Sequence, residues 1–275
     1  MRRVSCVPMV LACAALGCIA GVASGGQDPV RLRLVSGAPV IDEVYVNGSG
    51  PFSFIIDTGA ERSIISEDLA RQVGLRAVFR APSVTQTNEI IRDGFVAAKV
   101  RIRDVESRDE EFLAGSFAAV RQLDQKIQGI LGQTFLSKRD YMIDFRRRAV
   151  TFGVTTPRGG VKAPFAIAHG CMVTPTSHGQ LTLDSGASTL VLYDENEVHW
   201  KKEVSIATNE GQARVRYGAL RVLRVAGQKF RNVETLAAGR PRERETGSDG
   251  LLPANLFRSV YVSNSGGYVV FNGEQ

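Results

Sequence analysis

Apolar residues fall in short runs that alternate with polar ones along most of the chain, a period of two that sends successive side chains to opposite faces of a strand. The pattern predicts strands over Arg31–Val35, Val44–Asn47 and Phe52–Ile56, then Val84–Thr87, Phe95–Ile102 and Ser116–Val120. Four more follow as MIDF (142–145), AVTF (149–152), VYVS (260–263) and YVVF (268–271). The segment NGSGP, Asn47 to Pro51, reads as a hairpin turn. One segment carries a full helical signature, with Ser66 as N-cap, Glu67 and Asp68 in the first turn, Leu69, Ala70 and Val73 in the body, and Gly74 closing it. A shorter counterpart is expected at Asp194–Trp200. Gly153–Gly160, GVTTPRGG, has no apolar period and reads as a linker between a lobe at 28–155 and a lobe at 160–275. Strands dominate both, so the fold class is all-β.

The same pattern occurs twice. FIIDTGAERSIIS (Phe54–Ser66) returns as LTLDSGASTLVLY (Leu181–Tyr193), each copy an apolar strand, an Asp-Thr/Ser-Gly-Ala turn and a second apolar run. A lone D-T-G is an ordinary tight turn, but two in matching contexts are much stronger. Asp57 precedes Gly129 of QGILG by 72 residues (129 − 57) and Asp184 precedes Gly250 of DGLLP by 66 (250 − 184). Thr-Asn-Glu begins at Thr87 and at Thr208, in each case 42 residues before that glycine (129 − 87 and 250 − 208). The six-residue difference therefore lies between each Asp and its Thr-Asn-Glu, and the chain is an internal duplication.

On these residues the chain resembles the aspartic proteases of the pepsin and retroviral protease superfamily. Both lobes are fused as in pepsin, with the small lobes and D-T-G-A form of the retroviral-type and bacterial enzymes. The resemblance runs over roughly residues 30–275. It implies two pseudo-twofold-related β lobes with the active site between them, and it assigns Asp57 and Asp184 to a catalytic dyad. It further implies that the hydroxyls of Thr58 and Ser185 reach across to the opposite lobe. Ile130-Leu131-Gly132 and Leu251-Leu252-Pro253 would brace the Asp turns from beneath, Pro253 being a departure from the glycine of the family. Gly59 and Gly186 are expected to permit a backbone conformation that brings N–H groups to the carboxylates. A flap is expected from the hairpin around Gln86–Gly94, while Asn209–Gln212 reads as a tight turn.

The implied chemistry is the hydrolysis of peptide bonds by a water molecule. Two carboxylates close enough to share one proton supply a base and an acid together, because like charges a few ångströms apart do not both ionise. Substrate would be an extended peptide or protein segment. The alternative is a protease-like protein that binds peptides without cutting them, suggested by Pro253 and by a flap without a glycine-rich tip or a tyrosine. The duplication predicts a monomer, since both halves of the dyad lie on one chain. The alanines that follow each D-T/S-G, Ala60 and Ala187, donate no hydroxyl to the carboxylates, so the pair is expected to titrate higher than in pepsin.

Composition narrows the partners. The net charge of +6 becomes +4 without Arg2 and Arg3, and the Arg146–Arg148 and Arg240–Arg244 clusters lack aromatic neighbours for base stacking, so no nucleic acid is expected. Cysteines and histidines have no metal spacing, which leaves neither metal nor cofactor to expect. His169 and Cys171 sit on one face of a presumed strand, but a buried thiol and a satisfied histidine describe them better than a nucleophile pair. Residues 1–24 have a basic start, an apolar stretch and small residues before Ser24, the form of a secretory signal peptide. Export to a periplasm or beyond follows, with two other outcomes open: a retained membrane anchor, or lipidation at Cys18. Cys171 is the one cysteine after the leader, so no disulfide within the chain is expected. About five residues separate a cut after Ser24 from the strand at Val30, too few at ~3.3 Å each for an inhibitory pro-segment.

Overall fold

The structure is a computed structural model describing residues 28–84, 89–193, 198–208, 211–239 and 247–274. The leader, and with it the expectations for Ser24 and Cys18, lies outside them. The first half contains β1 (Val30–Arg31), β2 (Arg33–Val35), β3 (Ala38–Val46), β4 (Ser49–Ile56), β5 (Ser63–Ser66), α1 (Glu67–Gln72), β6 (Ala77–Val84), β7 (Glu89–Ile102) and β8 (Val105–Gly115). It continues through α2 (Ala118–Leu123), β9 (Ile127–Leu131), α3 (Gln133–Leu136), β10 (Tyr141–Asp144) and β11 (Ala149–Phe152). The second half contains β12 (Val161–Pro164), β13 (Ala166–Ala168), β14 (Cys171–Thr176), β15 (Gly179–Asp184), β16 (Leu190–Tyr193) and β17 (His199–Thr208). After these come β18 (Gly211–Val225), β19 (Gln228–Ala238), β20 (Gly250–Pro253), β21 (Phe257–Ser263) and β22 (Tyr268–Glu274). The chain is nearly all β, as its alternating pattern requires.

Two eight-stranded sheets have one topology. The first runs β2-β3-β4-β9-β5-β8-β7-β6 and the second β13-β14-β15-β20-β16-β19-β18-β17, and even the extra pairing β3–β7 recurs as β14–β18. A third, six-stranded sheet is common to both halves, in the order β1-β11-β10-β21-β22-β12. Its centre is the antiparallel pair β10–β21, with Met142 opposite Tyr261 and Ile143 opposite Val260. The lobes are thereby joined by a ladder of backbone hydrogen bonds as well as by the linker.

Several expected elements take a different form. Arg31–Val35 is two strands, because Leu32 donates its N–H to the Arg148 carbonyl and β1 joins the shared sheet while β2 turns into the first lobe. Ser116–Val120 is not a strand: Phe117, fully buried at φ 54°, ends the extended run and the good helix formers after it close α2. The expected helix at Asp194–Trp200 falls partly outside the described residues, and its end, His199–Trp200, already belongs to β17. By contrast α1 is capped as expected, the Ser66 side chain accepting from the Leu69 N–H at 3.2 Å, with Gly74 at φ 72°.

The main core spans both lobes and the shared sheet. Phe54 meets Phe112 edge-on in lobe one, Phe135 meets Phe152 across from it, and Phe257 packs on both Phe230 and Phe271 in lobe two. Two smaller apolar clusters stand apart from this core. One gathers Ile55, Ile64, Ile127 and Ile130, the other Val191, Tyr193, Val215 and Leu251. Each lies on the cleft side of its lobe.

Beneath the duplicated turns the lobes differ in chemistry. In lobe one the fully buried Glu110 accepts from Ser63 (3.1 Å), Ser107 (2.8 Å) and Lys138 (2.8 Å), and Ser63 in turn accepts from the Gly132 N–H at 3.2 Å. Counting from each Asp, Ser63 corresponds to Leu190; by strand register, Glu110 corresponds to Val233 and Gly132 to Pro253. Lobe two has therefore lost the hydroxyl acceptor and the N–H donor together. Proline removes a donor that would have had no partner there. Removing the cation from the lobe-one network leaves a buried carboxylate with only hydroxyl partners. Lys138→Met is expected to lower stability by about 2 kcal/mol in urea unfolding. Adding Glu110→Gln should recover at least half of that loss.

Candidate active site

Strands β4 and β15 end at Asp57 and Asp184, each held against a parallel neighbour that fixes its height. In lobe one Ile56 pairs with Leu131 and Asp57 donates its N–H to the Leu131 carbonyl at 3.0 Å. In lobe two Leu183 pairs with Leu252 and Asp184 with Pro253. Ile130, Leu131, Leu251 and Leu252 are all buried beneath the turns. Gly132 is needed by space: a Cβ there would lie 2.6 Å from the Arg62 carbonyl oxygen and 2.7 Å from that of Ala60.

The two turns grip one another. Thr58 donates its hydroxyl to the Leu183 carbonyl at 2.7 Å and accepts from the Ser185 N–H at 2.9 Å. Ser185 does the reverse, donating to the Ile56 carbonyl at 2.7 Å and accepting from the Thr58 N–H at 3.0 Å. Both side chains are buried, so these four bonds satisfy every polar group at the seam.

Gly59 and Gly186 bring their N–H groups to the carboxylates as expected, but without a left-handed backbone. Each also faces the aspartate of the opposite lobe: a Cβ on Gly59 would fall 2.5 Å from the Asp184 carboxyl carbon, and one on Gly186 would fall 2.6 Å from Asp57 Oδ2. The glycines are the space into which the opposite carboxylates fit. Gly59 also donates its N–H to Asp57 Oδ1 at 2.9 Å, and Ala187 donates to Asp184 Oδ1 at 2.8 Å.

The two carboxyls lie within hydrogen-bonding reach of one another. Burial raises the pKa of Asp57 above the ordinary carboxylate value, with the Gly59, Ala60 and Gly186 amides and the Asp184 carboxyl opposing the rise. Burial and then the charge of Asp57 hold Asp184 well above that value. The pair retains one proton where isolated carboxyls would have lost both, which places an acid and a base in contact.

Around the dyad is a cleft of about 580 Å³. Its walls are the two small apolar clusters, including Ile55, Ile64 and Ile130 on one side and Val191, Tyr193 and Leu251 on the other. Both lobes contribute a long hairpin to its rim. Pro82 and Ser83 come from β6, whose hairpin has its expected tip, Gln86–Asn88, outside the described residues. Val204, Ile206 and Tyr217 come from β17 and β18, and these two strands also pack on α2 of the other lobe. The turn expected at Asn209–Gln212 lies partly outside the described residues, between these two long strands.

Two contributors escaped the sequence reading. Gln133, buried, donates its amide to the Thr58 carbonyl at 2.7 Å. Its signal was a polar residue directly after the apolar GILG, where lobe two has Ala254. Cys171, buried, donates its thiol to the Gly59 carbonyl at 3.2 Å from the opposite lobe. It does not share a strand face with His169, which occupies the β13–β14 turn at φ 47°. Among the described residues, no three His, Cys, Asp or Glu side chains converge as a metal-holding set.

Ser185→Ala strips a partner from the Ile56 carbonyl and the Thr58 N–H at once, and unfolding should show a loss of about 2 kcal/mol. Asp184→Asn should act on the pH dependence of stability. A carboxyl whose folded pKa is raised contributes stability that is fully present below the unfolded pKa and lost as pH rises through the folded one. The parent should therefore lose more stability than Asp184→Asn between acidic and neutral pH in parallel urea titrations.

The family model described as aspartyl protease matches residues 43–135, from within β3 to Phe135. No curated protein matches the chain. A solved retropepsin-like aspartic protease from Rickettsia conorii is similar at 20% identity with a TM-score of 0.34, over 44% of this chain and 86% of that one. The aspartyl protease match thus covers lobe one, and the β topology and Asp turn of that lobe recur in lobe two of the same polypeptide.

Proposed function

We propose that the protein is an exported aspartic endopeptidase, acting as a monomer, in which Asp57 and Asp184 share one proton and activate a water for attack on a peptide carbonyl. The observation that carries this reading is the pair of carboxyls, Asp184 buried and Asp57 half-buried, set in contact by the Thr58–Ser185 grip and opening into an apolar cleft. The charged member of the pair takes a proton from water while the protonated member donates to the carbonyl oxygen, so no covalent intermediate is needed. Apolar walls on both sides of the dyad suit the side chains that flank a peptide bond, and the two hairpins at the rim supply cover that excludes water. Export and the monomeric state rest on the leader and the duplication.

The rival reading, a peptide-binding protein without activity, drew on Pro253. That residue sits where Leu190 has already replaced the serine hydroxyl, and it pairs in register beside Asp184. Proline there leaves the dyad's supports in place, which favours the enzyme.

Incubation with a diverse peptide library should give cleavage by the parent and none by Asp57→Asn or Asp184→Asn, each at least about 10³-fold slower. The rate should follow a bell in pH with its maximum in mildly acidic solution, since both carboxyls titrate above the ordinary range. Binding of peptides by the parent without any cleavage would sustain the rival instead.

A further inference from the structure

The first hairpin of each lobe crosses to the other lobe's Asp turn. In lobe one the β2–β3 turn, Ser36-Gly37, seats on the residues after Asp184: a Cβ on Gly37 would lie 3.0 Å from Ser188 Cβ. In lobe two the β13–β14 turn, His169-Gly170, seats on the residues after Asp57: a Cβ on Gly170 would lie 2.3 Å from Glu61 Cγ. Ser188 and Glu61 each stand four residues beyond their aspartate, so the crossing obeys the pseudo-twofold. Gly37 and Gly170 both have positive φ, 89° and 71°.

The residue that follows each glycine breaks the symmetry. In lobe one it is Ala38; in lobe two it is Cys171, whose thiol reaches the Gly59 carbonyl. That carbonyl belongs to the Gly59–Ala60 peptide, and the N–H at its other end faces the Asp57 carboxylate as well as the Asp57 backbone carbonyl, the latter at 3.4 Å. Gly59 itself donates its N–H to Asp57 Oδ1 at 2.9 Å, so the thiol holds a residue that is bonded directly to the carboxylate. A hydrogen bond to the oxygen of a peptide group makes its N–H a better donor, and within a buried network such bonds strengthen one another. The equivalent Gly186–Ala187 peptide, facing Asp184, has an alanine methyl where Cys171 has sulfur.

We propose that Cys171 is a positioning residue for Asp57: its thiol holds and polarises the Gly59–Ala60 peptide so that the amide favours the charged form of that carboxylate, a brace the Asp184 turn lacks. The thiol acts on the chemistry through the peptide it holds. The other titratable and charged groups lining the cleft are Asp184, Glu61, Arg62, His169, Tyr193 and Tyr217, and substitution at Cys171 leaves all of them in place. The inference rests on the aspartic peptidase reading only for its kinetic readout.

The test compares the parent with Cys171→Ala, which gives lobe two the residue of lobe one, and with Cys171→Ser, which keeps a donor. For each, the pH dependence of kcat/KM is measured on a peptide the parent cleaves, and the carbon-13 shifts of the aspartate carboxyls are followed by NMR titration. Cys171→Ala should move the acidic limb, and the lower carboxyl titration with it, upward by about 0.3–0.5 pH unit, as expected for weakening one charge-facing amide. Cys171→Ser should restore the parent position or lie below it. Equal limbs in parent and Cys171→Ala would overturn the proposal, as would equal upward shifts in both variants, which would make the effect one of packing. If Cys171→Ala does not fold, Cys171→Val fills the volume without a donor and takes its place. If the parent cleaves no peptide, the endopeptidase reading fails, and the NMR titration still decides the role of Cys171.

Discussion

Everything in this molecule depends on bringing two carboxyls, 127 residues apart in sequence, to hydrogen-bonding distance and keeping them there against mutual repulsion. The reciprocal hydroxyl bonds of Thr58 and Ser185 do this. Each side chain satisfies a carbonyl and an N–H of the opposite turn, so separating the lobes by even an ångström would leave four buried polar groups without partners. The glycines that follow remove the side chains that would otherwise occupy the place of the opposite carboxylate. Grip and vacancy together turn two ordinary strand-ending turns into a dyad.

The remaining architecture can be understood as support for that contact. Strands β9 and β20 set each Asp turn at a fixed height, α3 and Gln133 fasten the first turn from below, and the shared six-stranded sheet prevents the lobes from sliding. The first hairpin of each lobe then crosses over the other's turn. A site made at a seam between two lobes needs bonds across the seam in more than one place, because any single interaction leaves a rotation free.

Duplication supplied symmetry, and divergence has since made the halves unequal. Lobe one holds its turn with a buried ionic network of Glu110, Lys138 and two serines; lobe two does the same work with Leu190, Val233 and Pro253. Among the described residues, no side-chain nitrogen or oxygen of either arrangement is buried without a hydrogen-bond partner, which is the condition a buried position must meet. The two aspartates consequently sit in different fields although their backbones superpose in topology, and a dyad with one proton to place has a physical reason to prefer one side.

Much of this was legible in the residues. Alternating apolar positions declared the strands, the repeated D-T/S-G-A turns with equal downstream spacing declared two equivalent lobes, and Ser66 with Gly74 declared α1, because these signals are local: each depends on neighbours a few residues away. What the chain could not show locally was decided by tertiary contact. Ser116–Val120 reads as a strand until Phe117 is buried in a left-handed conformation and the chain coils into α2; Arg31–Val35 reads as one strand until Leu32 is claimed by the Arg148 carbonyl. Gly59 and Gly186 could be tied to the carboxylates from the sequence, but which aspartate a side chain there would strike, the one on the far lobe, was decided by the pairing of the lobes. Cys171 read as a buried thiol, which it is, but its partner is a carbonyl 112 residues away that no local pattern names. Local periodicity determines which elements form, while pairing across the seam determines which of their atoms meet, and the chemistry of this protein resides in that second decision.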